Sequence, residues 1–297
     1  MKTRIISGVI LAVLIIALGF PGSYPLWLMC MLCSVIGYME LTTVLCKPAP
    51  AKKKVTVRKW NSMPDAVALP GLLLTVLYYA GMMYIQWRYG VVNQTGMIAA
   101  ADFWTMMMLA VDFLLTMAVY VYTFPRRRSA QATGAVMSFL YMPVMMAFVC
   151  RTRNLPQGIF LYFLIFICAS VSDVCALAVG MAIGRHKLAP VLSPKKTIEG
   201  AIGGIAGSAI VSCLLALVVG SIEKGTNVLT LFLIIGICGS IIGQTGDLAA
   251  SAIKRNHGIK DYGTLIPGHG GMMDRFDSIL FTAPVIYYLS FLLSEMM

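Results

Sequence analysis

Nine apolar stretches, at 5–20, 24–46, 66–87, 101–124, 134–150, 157–183, 200–220, 228–250 and 276–294, leave this chain almost no choice of architecture. Coiled as a helix, a run of about 20 such residues matches the ~30 Å hydrocarbon core of a bilayer. Lipid offers no partner to a bare N–H or C=O, so only helices and closed barrels cross it. A barrel would alternate in polarity over ten-residue segments, whereas these runs are continuous. The sequence therefore predicts an all-α, polytopic integral membrane protein with about nine transmembrane helices. Composition agrees, since only 12% of the residues are charged, about half the fraction of a soluble domain.

Cytoplasmic loops collect Lys and Arg, which gives the spans a direction. With the N-terminus inside, the inner segments hold 19 of the 23 basic residues, and only Arg88, Arg151, Arg153 and Lys224 fall outside. The N-terminus is thus expected in the cytoplasm and the C-terminus outside, in what reads as a bacterial plasma (inner) membrane. The net charge of +11 follows from this asymmetry and suits anionic headgroups. Because the basic residues are spread over separate loops, the largest group being Lys52, Lys53, Lys54, Arg58 and Lys59, membrane lipids and no nucleic acid are the expected partners. The N-terminus, basic and then apolar, imitates a secretory signal, but an uncleaved first span is expected. The eight cysteines, Cys30-x-x-Cys33 included, read as small apolar filler.

One membrane domain is expected over 1–297, with N-terminal helices in 1–170 and the chemistry in 171–297. The first 170 residues hold only four of the twelve acids, Glu40, Asp65, Asp102 and Asp112, and no constellation. Glu40 and Asp112 read either as relay groups or as helix-end or bundle-facing acids. Asp173 lies inside the sixth span, where a carboxylate costs about 2.5–3.5 kcal/mol. It needs a cation, a basic neighbour, water or a structural hydrogen bond to offset that cost.

Three motifs gather the remaining polar chemistry. In "GRHKLAPVLSPKKTIEG", residues 184–200, Arg185, Lys187, Lys195 and Lys196 converge in a short loop suited to phosphates. Ser193-Pro194 reads there as a helix N-cap with Pro at the first helical position. In "GQTGDLAASAIKR", residues 243–255, Asp247, Ser251, Lys254 and Arg255 share one helical face. It is either a metal-and-phosphate stripe or an intrahelical network. In "IPGHGGMMDRFDS", residues 266–278, Pro267, Gly268, Gly270 and Gly271 are expected to make a turn through which backbone approaches a ligand. A helix then begins, and Asp274 and Asp277 point to one side. Paired carboxylates beside Lys260, Asp261, His269 and Arg275 suit a divalent cation carrying a polyphosphate, while dipole complementation is the plainer role for acids in a first turn. The spacings Gly200-x-x-x-Gly204, Gly203-x-x-x-Gly207 and Gly239-x-x-x-Gly243 are expected to let the seventh and eighth helices approach closely.

These residues carry a resemblance. The runs Ser251-x-x-Lys254-Arg255, Lys260-Asp261-x-Gly263 and Pro267-x-His269-Gly270-Gly271-x-x-Asp274-Arg275-Phe276-Asp277-Ser278 resemble the signature of phosphatidate cytidylyltransferases, or CDP-diacylglycerol synthases. A second segment of that family is similar to Gly184-x-His186-Lys187-Leu188-Ala189-Pro190 with Ser193-Pro194-x-Lys196-Thr197-x-Glu199-Gly200. Ala250 stands where an acid is common, and Val174, Cys175 and Leu177 replace a small-aromatic pattern. The resemblance implies a membrane enzyme that makes CDP-diacylglycerol and pyrophosphate from CTP and phosphatidic acid with Mg2+, a second cation being a further option. It implies Asp247, Asp274 and Asp277 at the metal and Lys254 beside them in catalysis. Ser193, Lys195, Lys196, Thr197, Glu199, Ser251, Arg255, Lys260, Asp261, His269 and Arg275 are the expected substrate-binding set. A homodimer is compatible with such a chain. The alternatives are a CDP-alcohol phosphotransferase, which would show an Asp-Gly start and acids spaced four apart, and an ion-coupled transporter relaying through Asp173, Glu40 and Asp112. No P-loop pattern occurs.

Overall fold

A computed structural model describes residues 13–21, 23–46, 65–90, 93–222, 228–265 and 270–296. Among them are eight helices long and apolar enough to cross a membrane, at Tyr24–Leu45, Ala66–Tyr89, Gln94–Tyr122, Ser129–Arg153, Gly158–Ile183, Ile198–Gly220, Val228–Asn256 and Met273–Leu293. Each coincides with one expected span. Half of the expected first span, 5–20, lies outside the described residues, with 13–19 helical, and so does the basic loop 47–59. Among the described residues the architecture is all-α apart from one two-stranded hairpin.

The chain divides into two compact units, Met1–Cys150 with Asn256–Arg275, and Arg151–Arg255 with Phe276–Met297. In the first unit, α1 (Ser23–Leu45), α2 (Leu69–Tyr89), α3 (Gln94–Tyr122) and α4 (Ser129–Phe139) pack around Tyr38, Tyr78, Tyr79, Phe139 and Met142, all fully buried. Buried hydroxyls need partners. Tyr79 meets Ser34 Oγ at 2.7 Å and donates to the Pro143 carbonyl at 3.1 Å. Pro143 cannot supply a helical N–H, and the chain passes it in a π-turn, Leu140–Val144, before α5 (Met145–Arg153). Asp65 accepts from Val67 N at 3.2 Å and pairs with Arg127. Gln131 joins that carboxylate, at 3.0 Å, to the Cys46 carbonyl, at 2.9 Å. One of the expected cytoplasmic arginines is thus tied into the fold.

The second unit holds α6 (Gly158–Ile183), α7 (Ile198–Ile222), α8 (Val228–Asn256) and most of α9 (Met273–Met296). Its glycines refine one expectation. Gly200, Gly203 and Gly207 turn to α6, with Ala176 O only 2.6 Å from where a Cβ on Gly200 would stand, and Gly204 meets both Ser172 of α6 and Gln244 of α8. Gly236 serves the α7–α8 approach, against Ser212 and Ala209, while Gly239 and Gly243 face Cys168 of α6 and Thr282 of α9. Small residues mark a close approach without naming the partner helix. Here α7 follows α6 through a short hairpin and returns antiparallel along it. Arg151, expected in an outer loop, is 5% exposed; it donates to the Tyr287 hydroxyl at 3.0 Å and lies over that ring at 4.5 Å. The stem and planar head find apolar and aromatic cover that a hydropathy window cannot see.

Gly200→Ala should lower stability by about 1–3 kcal/mol, because the new methyl meets backbone that cannot yield. Gly220→Ala, with nothing within 4 Å of its Cβ position, should be silent. Thermal unfolding of both variants in detergent checks the contrast, and equal behaviour would contradict the packing described.

Candidate active site

The loop after α6 is a hairpin, and this corrects the helix start expected at Ser193. Strand β1 (Lys187–Ala189) pairs antiparallel with β2 (Ser193–Thr197), Lys187 opposite Thr197 and Ala189 opposite Ser193. Pro194 is tolerated because a two-stranded hairpin consists of edges, where a missing N–H costs little. The true cap is Thr197, whose Oγ1 accepts from Gly200 N at 3.1 Å. Glu199, in the first turn of α7, accepts from His186 N with both oxygens at 3.2 Å and faces His186 Nδ1 at 2.6 Å. Thr197 and Glu199 therefore fasten the hairpin to the helix. Lys195 is left exposed, and Lys196 is turned inward.

Lys196 pairs with Asp247 of α8, each side chain about a quarter exposed. Asp173 of α6 is within electrostatic reach of both, which supplies the basic neighbour its position demands. Beneath the pair, Gln244 donates to Ser172 Oγ and Ala201 O at 3.2 Å and to Ser240 Oγ at 3.3 Å, and the two serines meet at 2.7 Å. This buried network locks α6, α7 and α8 together below Asp247. Gly246, the residue before it, lies against α9 so closely that a Cβ would stand 2.7 Å from Asp277 O. Within this unit the backbones bearing Asp247 and Asp277 are in contact. Asp277 is 8% exposed, its Oδ1 accepting from Ser278 N at 2.8 Å. Ser251 and Lys254 are half-buried one and two turns beyond Asp247, and exposed Arg255 donates from Nε to Leu192 O at 3.4 Å.

In the first unit, Asp274 anchors the signature turn. Its Oδ2 accepts from Tyr262 N at 2.8 Å and from Gly271 N at 2.9 Å. Gly270, at φ +87°, has that same oxygen 2.9 Å from its Cβ position. The glycines were expected to admit a ligand; those described are shaped around the protein's own carboxylates. Lys260 and Arg275 are exposed and Asp261 half-buried. Pro267, Gly268 and His269 lie outside the described residues.

The sequence pattern of the cytidylyltransferase family matches residues 2–293. The chain belongs to the cytidylyltransferase family. It is 30% identical over 298 residues to the phosphatidate cytidylyltransferase of Bacillus subtilis, covering 99% of each chain. It is 29% identical over 286 residues to that of Staphylococcus saprophyticus, covering 96% of this chain and 97% of the other.

For a cytidylyltransferase, the polar groups in these two units are the right kind. Among the described residues no three His, Cys, Asp or Glu side chains group as a ready metal cage. Mg2+ does not require one, because it is usually held by one or two carboxylates, waters and substrate phosphates. Hard carboxylate oxygens on abutting backbones, at Asp247 and Asp277, fit that mode. Sequence reading missed one group in each unit, Gln244 and the role of Glu40. Gln244 is uncharged and therefore silent in a search for acids. Glu40 was visible as the one acid of its span, but its partners, 232 and 233 residues away, were not.

Proposed function

We propose that this protein transfers the cytidylyl group of CTP to phosphatidate, giving CDP-diacylglycerol and pyrophosphate for phospholipid biosynthesis. The observation that carries this reading is the near full-length match to phosphatidate cytidylyltransferases, together with the complete signature from Ser251 to Ser278. A phosphate oxygen of the lipid attacks the α-phosphorus of CTP. That bond forms as the bond to the bridging oxygen of the β-phosphate breaks, and pyrophosphate leaves with the electron pair. The attacking oxygen is already ionised, so no general base is required, and catalysis reduces to positioning and charge neutralisation.

Asp247, Asp274 and Asp277 are the assigned cation ligands, on the strength of the signature. When bound, a divalent cation supplies charge neutralisation at the nucleotide phosphates. Lys195, Lys254, Arg255, Lys260 and Arg275 screen the two polyanions. Lys196, which pairs with Asp247, joins them by exchanging that carboxylate for a phosphate. Ser193, Ser251, Asp261 and His269 complete the substrate-binding assignment, while Thr197 and Glu199 act by holding the hairpin. Acyl chains stay in the bilayer, which explains a catalytic motif at the ends of membrane helices. CTP-dependent conversion of phosphatidate by detergent-purified protein tests the assignment directly, and a wild-type preparation without turnover would overturn it.

The site faces the cytoplasm of a bacterial plasma membrane in this reading, with the N-terminus inside; the split of basic residues supports it. In a cysteine-free background, Pro190→Cys and Lys224→Cys should be labelled from opposite sides of the membrane. Labelling from the same side would sink the nine-span topology. A transporter relay through Glu40 has less support, since that carboxylate is held by two backbone N–H groups.

A further inference from the structure

We propose that Glu40 is a positioning residue of the active site, whose carboxylate holds the backbone that aims Asp274. The inference rests on the reading of Asp274 as a functional carboxylate. Glu40 is 5% exposed in α1. Its Oε1 accepts from Met272 N at 3.0 Å and its Oε2 from Met273 N at 2.9 Å. Met273 is the first residue of α9, so Glu40 caps that helix from another helix, placing a negative charge at the positive end of its dipole.

The same turn is gripped from its other side. Gly271, directly before Met272, gives its N–H to Asp274 Oδ2, as does Tyr262. Two carboxylates thus hold successive N–H groups of one short segment, one from α1 and one from α9 itself. The glycines agree with this arrangement. A Cβ on Gly263 or on Gly271 would overlap the Glu40 carboxylate, so both positions leave the space that it fills. A buried anion that takes two backbone donors and excludes side chains from two loop positions is bound too specifically for filler. Its effect on chemistry passes through Gly271 to the orientation of Asp274.

Glu40→Gln separates charge from size. Gln keeps the volume but offers one acceptor, and its amide N–H groups oppose the second backbone donor. In full-length, metal-free protein, hydrogen exchange in 257–275 should speed up about tenfold or more, while 158–183 and 198–222 stay unchanged. kcat should fall about 10- to 100-fold through misplacement, with KM for phosphatidate little altered. Raised Mg2+ should restore part of the rate, and Glu40→Asp, which keeps the charge, should outperform Gln. A packing role predicts the reverse order, Gln near wild type and Asp impaired, and that result would overturn the proposal. So would unchanged exchange, or faster exchange with normal kcat. Should Glu40→Gln fail to fold, Gly263→Ala, whose methyl displaces the same carboxylate, must give the same local exchange and rate loss. Wild-type protein without cytidylyl transfer would instead overturn the proposed function, and the exchange result would still decide whether Glu40 holds this backbone.

Discussion

Exhaustive chelation of the detergent-purified protein should take CTP-dependent turnover of phosphatidate to background, and added Mg2+ should restore it. The reaction brings a nucleotide triphosphate and a lipid phosphate together at one phosphorus. Two like charges ~4 Å apart repel by about 4 kcal/mol at an effective dielectric near 20, roughly a thousandfold in rate, and several such pairs are involved. The loop lysines offset part of this. Lys196, which pairs with Asp247, is one of them, and a cation arriving with the nucleotide supplies the remainder. ATP should not replace CTP, an expectation carried by family membership alone. Full activity after chelation, or equal turnover with ATP, would contradict the assignment.

What the sequence made legible here was whatever depends on one chain segment against its solvent. Eight spans could be read because lipid forces backbone satisfaction within each helix, whatever its neighbours are. Pairing between segments was far less legible. The Gly200–Gly207 spacings announce close packing, yet only the hairpin between α6 and α7 makes α6 the partner. Ser193-Pro194 has the form of a helix start, and it lost to Thr197 because β2 must first pair with β1. Arg151 looks like a loop residue until Tyr287 covers it. The residues assigned to the site divide in the same way. Asp247, Asp274 and Asp277 stood out as acids in oily surroundings, whereas Gln244 carries no charge and Glu40 acts on backbone amides that no sequence pattern points to. Asp112 belongs to neither group. It is fully buried in α3 with no hydrogen bond to either oxygen, and nothing in the chemistry proposed here uses it.

Asp274→Asn should lower turnover at least ~100-fold, by analogy with removal of a single electrostatic stabiliser, while leaving the protein folded. The two halves of this expectation come from the same geometry. Oδ2 takes the N–H groups of Tyr262 and Gly271, and an Asn oxygen accepts both in the same place, so the turn survives. What Asn lacks is the negative charge, and its amide is a donor where a cation requires oxygen. If Asp274 only complemented the α9 dipole, the change would cost about 0.3–1 kcal/mol of stability and spare activity. Asp247→Asn should also be severe, and it releases Lys196 from its partner. If both acids serve one ion, the double variant will lose much less than the sum of the two singles, because groups acting as a unit are not additive. Activity and thermal unfolding of the two singles and the double, extracted as monodisperse protein, decide the matter. A folded Asp274→Asn variant with near-wild-type turnover would remove this residue from the site.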